Sequence, residues 1–177
     1  ILVIENQNKK KMAVALFISK EDLIKKTPLS ANIDFDKVSH FIRIAQDIHV
    51  HQILGSKLYD KLQADILGGT LSGDYENLVE GFIKQTLVQF SFMEYLPFSQ
   101  YTISNKGVFK STSENSALPS TQEIDSMRDA ARDTADYYAK RLVDHLRHND
   151  NLYPEYNTNT DEDVRPAKDI TFGGWHI

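Results

Sequence analysis

Apolar positions along the chain fall into stripes with helical spacing, separated by glycine, proline and short polar runs. Ser19-Lys20-Glu21-Asp22 reads as a helix start, a hydroxyl cap followed by acids in the first turn. The short helix Lys20–Lys26 stops at Thr27-Pro28. After the loop LSANID a second helix is expected from Asp34 or Asp36, where Val38, Phe41, Ile42, Ala45 and Ile48 predict one buried face. Gly55 breaks that run, and a further helix restarts at Ser56 with Leu58, Leu62, Ile66 and Leu67 inward. Gly68-Gly69 ends it. Ser72-Gly73-Asp74 opens the next helix, whose stripe includes Leu78, Val79, Phe82, Ile83, Val88 and Phe90. From Leu87 to Phe98 it turns apolar nearly all round, which predicts a central helix, and Pro97 ends or kinks it.

Residues 99–119 change character. Tyr101-Thr102-Ile103 and Val108-Phe109 flank Ser104-Asn105-Lys106-Gly107, the pattern of a small β-hairpin or an extended arm, and SENSALPS follows as polar loop. Ser120 and Glu123 form a capping box, and the longest helix is expected from Thr121 to His148. Its stripe is Ile124, Met127, Ala131, Ala135, Tyr138, Leu142 and Leu146. The opposite face alternates acid and base at i,i+3 and i,i+4. Helix signals stop at Asn149. The polar, acidic run NDNLYPEYNTNTDEDVRP reads by itself as disordered. The chain then closes on DITFGGWHI, with Ile170, Phe172, Trp175 and Ile177 around two glycines. The expected architecture is all-α: a bundle of about four helices over residues 19–148, with a hairpin or extended arm at about 99–119. An N-terminal extension (1–18) precedes it and a long C-terminal extension with an apolar anchor (149–177) follows.

Composition narrows the function classes. The chain has 177 residues, a hydrophobic fraction of 41% and a formal net charge of −5, so it can fill a core but does not carry a surface that grips phosphate backbones. It contains no cysteine, which removes disulfides, thiolate catalysis and Cys-based zinc sites. No apolar run approaches the length of a membrane span. The opening ILVIENQNKKKMAVALFI lacks the order and length of a signal peptide. Met12 is a candidate start with residues 1–11 a leader, and a fragment of a longer chain is the alternative.

Two constellations offer candidate chemistry. Asp144, His145 and His148 could meet on one helix face, but no HExxH or repeated Glu-x-x-His accompanies them, so dipole-complementing groups at a helix end are the preferred reading. Glu94 lies in the apolar run FMEYL. A carboxylate there is either a general acid or base, or one half of an ion pair, with Arg43 as candidate partner. No phosphate loop, dinucleotide fingerprint or nucleophile elbow occurs. The lysines at 9–11 read as a solvated extension. No catalytic residue, metal or cofactor is expected. The two extended parts remain. Tyr101, Ile103, Val108 and Phe109 in the arm, and Ile170, Phe172, Trp175 and Ile177 in the tail, are the candidate partner-binding residues, because large rigid apolar groups are the usual hot spots of interfaces. A spacer of about 20 residues could stretch ~60 Å. Docking of the tail on another subunit is preferred over folding back on its own bundle.

The stretches FISKEDLIKKTPL, VSHFIRIAQDIHVHQILGSKLYDKLQ and YENLVEGFIKQTLVQFSFMEYLPF resemble head–tail connector (adaptor, head-completion) proteins of tailed phages and prophages of Bacteroidetes-type bacteria. The resemblance covers most of Phe17–Leu146 in arrangement. Its most distinctive element is ILGSKLYDKLQ, residues 53–63, where one helix ends at Gly55 and another restarts. It implies a structural virion protein of the neck, present in the host cytoplasm during assembly. The subunits would form a homo-oligomeric, dodecameric ring beneath the portal protein, with tail or stopper proteins below. DNA would pass through the channel without specific binding, and no membrane is involved. It transfers no catalytic residue. Two other readings stand beside it: a helical protein-binding module of a bacterial host, and a metal-dependent hydrolase built on Glu94 or on Asp144, His145 and His148.

Overall fold

A computed structural model describes residues 14–105, 107–110, 119–159 and 163–168. Helix α1 (Lys20–Lys26) starts as the sequence implies: Ser19 and Asp22 cap each other's backbone amides reciprocally. Helix α2 (Phe35–Ala45), capped by Asp34, runs through a π-turn at Gln46–Val50 into α3 (His51–Gly68). Helix α4 (Gly73–Leu78) runs through a second π-turn at Val79–Ile83 into α5 (Lys84–Tyr95), and a 3-10 turn at Leu96–Phe98 carries Pro97. Strands β1 (Tyr101–Ser104) and β2 (Gly107–Lys110) form the hairpin. Helix α6 (Thr121–His148) has a full capping box between Ser120 and Glu123. A 3-10 turn at Asp150–Leu152 and the short helix α7 (Pro154–Asn157) follow. The all-α bundle with a small hairpin arm is the observed fold.

Helix α5 is the centre of the bundle. It packs between α2 and α6 and also touches α1. Leu87 and Val88 are fully buried on it, as are Ile83 in the π-turn before it, Val38, Ile42 and Ala45 on α2 and Ala135, Ala139, Leu142 and Leu146 on α6. The small alanines of α6 let its axis approach α5 closely, so the longest helix needs few large side chains to close the core.

Several expected core positions are solvent-facing. Ile48 is 48% exposed, whereas Gln46 and Val50 beside it are fully buried. The π-turn at Gln46–Val50 adds a residue to the turn and rotates everything after it, so the α2 stripe does not continue through Ile48. Leu67 is exposed in the last turn of α3 and Met127 in the second turn of α6. Tyr138 is only half-buried, and Ala139 takes the inward position.

Both supposed extensions belong partly to the fold. Ala15, Phe17 and Ile18 are buried. Two amide side chains hold this segment: Gln46 Oε1 accepts from Phe17 N (2.9 Å) and Gln63 Oε1 from Ala15 N (2.7 Å), while both Nε2 groups donate to Ala15 O. The segment after Asn149 is not a free tether either. Tyr153, Tyr156 and Asn159 are buried, Tyr156 and Tyr153 at 1% exposure, so aromatic burial offsets the ordering entropy that the polar composition seemed to leave uncompensated. The anchor residues Ile170, Phe172, Trp175 and Ile177, the lysines at 9–11 and the loop residues up to 118 lie outside the described residues.

Candidate functional site

The hairpin stands on the end of α5. Tyr101 pairs with Lys110, Thr102 with Phe109, Ile103 with Val108 and Ser104 with Gly107. Alternation in this register places Tyr101, Val108 and Lys110 on one face and Phe109 on the other. Neither face is covered by the bundle: Val108 is 64% exposed, Phe109 50% and Tyr101 44%. A lone two-stranded hairpin is marginal in water, and among the described residues no further strand pairs with its outer edges. Three of the four expected arm residues are therefore presented together to solvent, and Ile103 is their neighbour by register. At the root, Gln100 is buried, and its Oε1 has no hydrogen-bond donor among the described residues.

Beside that root lies an open groove of about 500 Å³. The loop before α2 supplies Leu29 and Ile33, the end of α5 supplies Phe92 and Tyr95, the 3-10 turn after it Leu96, and the start of α6 supplies Ile124 and Met127, with Pro119 at the rim. Its volume lies within the range of sites that hold a ligand or anchor side chains, ~300–1,000 Å³. Sequence reasoning missed it, because it forms where three segments distant in sequence end at the same level. The exposed Met127 on a largely buried stripe is the one local trace.

The second constructed feature is a clasp at Gly55. That residue has φ 73° and ψ 158°, which cuts α3 after Leu54 and frees backbone groups on both sides. The returning chain uses them. Ser56 N donates to Val164 O (2.9 Å), Ala167 N donates to Gln52 O (2.9 Å) and Lys57 N donates to Asn159 Oδ1 (3.2 Å). Val164 N in turn donates to Ser56 Oγ (3.0 Å). His51 Nε2 lies 2.9 Å from the same Oγ, and its ring stacks on Tyr59 with centroids 4.3 Å apart. The Ser56 hydroxyl is thus engaged from two sides, beneath Val164. A Cβ at Gly55 would stand 2.7 Å from Asn159 Nδ2, 2.7 Å from Pro166 Cδ and 2.9 Å from Pro166 N. The helix break legible in the sequence is a socket for a strap more than 100 residues away (|i−j| 108 for Val164 and Ser56).

The titratable constellations are taken up by packing. Glu94 pairs with His49 at 2.9 Å, not with Arg43, and the His49 ring stacks flat on Phe90 with centroids 4.0 Å apart. The hydrogen bond from His49 holds the Glu94 carboxyl below the usual carboxylate value, against the opposing effect of burial, and Arg128 and Arg132 add to the lowering. Asp144, His145 and His148 do not converge. His148 Nδ1 bonds to the backbone oxygen of Asp144 (2.7 Å). His145 stacks on Phe82 with centroids 3.9 Å apart, and its Nε2 meets Tyr153 Oη at 3.1 Å. Tyr153 Oη donates onward to Asp74 O, so the His145 Nε2–H donates to the tyrosine and Nδ1 accepts from Asn149 Nδ2 (3.3 Å). Burial, then Arg141, pushes the His145 pKa below its ordinary value. Among the described residues no group of three or more histidines and carboxylates could hold a metal ion, and no helix is long and apolar enough to cross a membrane.

No curated protein and no solved structure matches this chain. A family profile does match, over residues 50–166, a span that opens just before the Gly55 break and closes on the proline seated against it. The chain belongs to that family, a family of unknown function (DUF6712).

Proposed function

We propose that this chain is a structural virion protein, a head–tail connector that assembles as a ring beneath the portal of a tailed phage and joins capsid to tail. The observation that carries the reading is the hairpin arm: exposed apolar side chains raised on a well-packed bundle, with strand edges and a buried amide oxygen at the root that find no partner among the described residues. Such an arm costs stability in a lone subunit and gains it only against a neighbour. A ring of identical subunits needs a heterologous contact of this kind, one surface meeting a different surface of the next copy. The acidic balance of the chain suits a wall that repels passing DNA. The resemblance of residues 17–146 to connector proteins in helix order points the same way.

The test is native mass spectrometry of the chain mixed with a phage portal protein from the same genome. A defined multiple of the chain on the portal ring is the expected result, and it supplies the copy number. A chain that stays a lone monomer with portal present removes the connector reading. Weight then passes to a host protein-binding module, in which the same arm engages a different partner.

A further inference from the structure

We propose that His145 is a proton-operated latch: neutral, it holds the segment Asp150–Asn157 against the bundle, and on taking up a proton it lets that segment open ahead of the bundle. The inference stands apart from the connector reading. It starts from a joint where three parts of the chain meet on one imidazole. The second π-turn brings Phe82, whose ring stacks on His145 with centroids 3.9 Å apart. The returning chain brings Tyr153, whose Oη lies 3.1 Å from Nε2. Asn149, the residue that caps the end of α6, brings its Nδ2 to 3.3 Å from Nδ1.

Both ring nitrogens are committed, in opposite senses. Tyr153 Oη donates to Asp74 O (3.2 Å), which can only accept, so Oη accepts from Nε2–H. Asn149 Nδ2 also donates to His145 O (2.9 Å), which fixes the orientation of the amide and leaves Nδ1 to accept. The joint is therefore built for one neutral tautomer. A second proton enters at Nδ1, where it meets an N–H instead of a lone pair, and the conflict falls on the residue at which the chain leaves α6. Other histidines differ. His148 Nδ1 donates to Asp144 O and His49 pairs with the Glu94 carboxylate, so each keeps its bond when charged. His51 meets the Ser56 hydroxyl, which can accept as well as donate.

The charges around the joint do not favour a cation there. Arg141, one turn back on α6, holds its guanidinium 5.2 Å from the centroid of the same Phe82 ring. From α4, Asp74 takes part through its backbone oxygen, and Tyr75 is bonded to Glu155 of α7 (2.7 Å). Glu80 of the π-turn pairs with Lys84 (2.6 Å). Lys61 of α3 lies over the Tyr75 ring (4.6 Å) and pairs with Asp65. Asp144, Arg147, His148 and Asp150, at the end of α6, face solvent. Burial and then Arg141 accordingly hold the His145 pKa below its ordinary value. Opening would expose Tyr153 and Tyr156, both 1% exposed in the closed form, and the part of α3 that α7 covers.

The sign follows from linkage. The open segment takes up the proton first, so closure is complete above the ordinary histidine value, weakens as pH falls from there, and levels off below the folded value. Amide hydrogen exchange, corrected for its intrinsic pH dependence, is followed from about pH 7.5 to about pH 5, across the ordinary value of about 6.5. The reporters are Tyr153 N, bonded to Asp150 O, and Tyr156 N, bonded to Tyr153 O. Their protection should fall by up to ~10-fold per pH unit, the limit for one proton. Amides of α5 should stay at least ~10-fold better protected throughout, as for opening of a part. His145→Gln should make the segment's protection independent of pH. Asn149→Asp supplies an acceptor for Nδ1–H and should remove or reverse the dependence. Protection of Tyr153 and Tyr156 that is level across the range overturns the latch. Protection equal to that of α5 also overturns it, since exchange then runs only through global unfolding. So does a dependence that survives His145→Gln. Where His145→Gln leaves the segment open at every pH, Asn149→Asp decides: a dependence unchanged from the parent overturns the proposal, and its loss or reversal upholds it.

Discussion

Replacing Gly55 by alanine perturbs one atom at the point where the two ends of the matched region meet. The backbone at φ 73° and ψ 158° lies in a region that essentially only glycine occupies, and holding an L residue there costs ~1–3 kcal/mol. The new Cβ also collides with Pro166, including its backbone nitrogen at 2.9 Å, so relief cannot come from rotating a flexible side chain. The strap must lift. Lifting breaks the Ser56–Val164 pair of bonds and the Ala167–Gln52 bond, each worth a net ~0.5–1.5 kcal/mol. The expected loss is about 3–6 kcal/mol, against a typical domain stability of ~5–15 kcal/mol. Urea denaturation measures the loss, and amide hydrogen exchange at Val164 and Ala167 reports whether the strap has opened. A Gly55→Ala protein within ~0.5 kcal/mol of the parent, with both amides exchanging as slowly as before, would refute the clasp as described.

Four further outcomes are expected. Stability should be full above the ordinary histidine pKa near 6.5 and fall as pH drops from there towards the depressed folded value of His145, because the unfolded chain takes up the proton first; His145→Gln should flatten that part of a urea-midpoint profile. Glu94 acts with the same sign: its folded pKa is lowered chiefly by the His49 hydrogen bond, so its contribution holds above the ordinary carboxylate value and is lost as pH falls through the folded one, and Glu94→Gln should remove that acid-limb slope. Ser120→Ala removes one side of a capping box and should cost about 1 kcal/mol in urea denaturation, with fraying confined to the first turn of α6. Val108→Asp with Phe109→Asp should change stability by no more than ~0.5 kcal/mol, since both side chains are solvent-facing, and should abolish capture by portal in native mass spectrometry.

Local rules made most of the fold readable. Ser19 with Asp22 and Ser120 with Glu123 announce helix starts because hydroxyl and carboxylate satisfy orphan amides within four residues, and Gly69 ends α3 in the left-handed conformation as a C-terminal glycine does. What was not readable depends on distance. Gln46 and Gln63 look like surface residues until a backbone segment some thirty to fifty positions earlier needs their amides. The acidic stretch after Asn149 looks disordered because charge dominates its composition, yet Tyr153, Tyr156 and Asn159 recur at a spacing of three and carry its burial. Of the candidate site, the arm was legible as two apolar pairs about a Ser-Asn-Lys-Gly turn. The groove was not, since its walls are set by where three helices end.

The clasp also dictates an order of events. Gln52 and Ser56 are made early in synthesis, but the strap that occupies them follows more than 100 residues later (|i−j| 108 for Val164 and Ser56). Closing so long a loop is slow, and its entropy must be spent before any contact repays it. The helices can collapse as they emerge, yet the break at Gly55 stays bare until the last part of the matched region has left the ribosome. By the same logic the strap is expected to open before the bundle does, which hydrogen exchange at Val164 and Ala167 would read. A nascent or nicked chain lacking it exposes unpaired backbone at Gln52 and Ser56, so quality control has a direct way to tell a chain that carries the strap from one that has lost it.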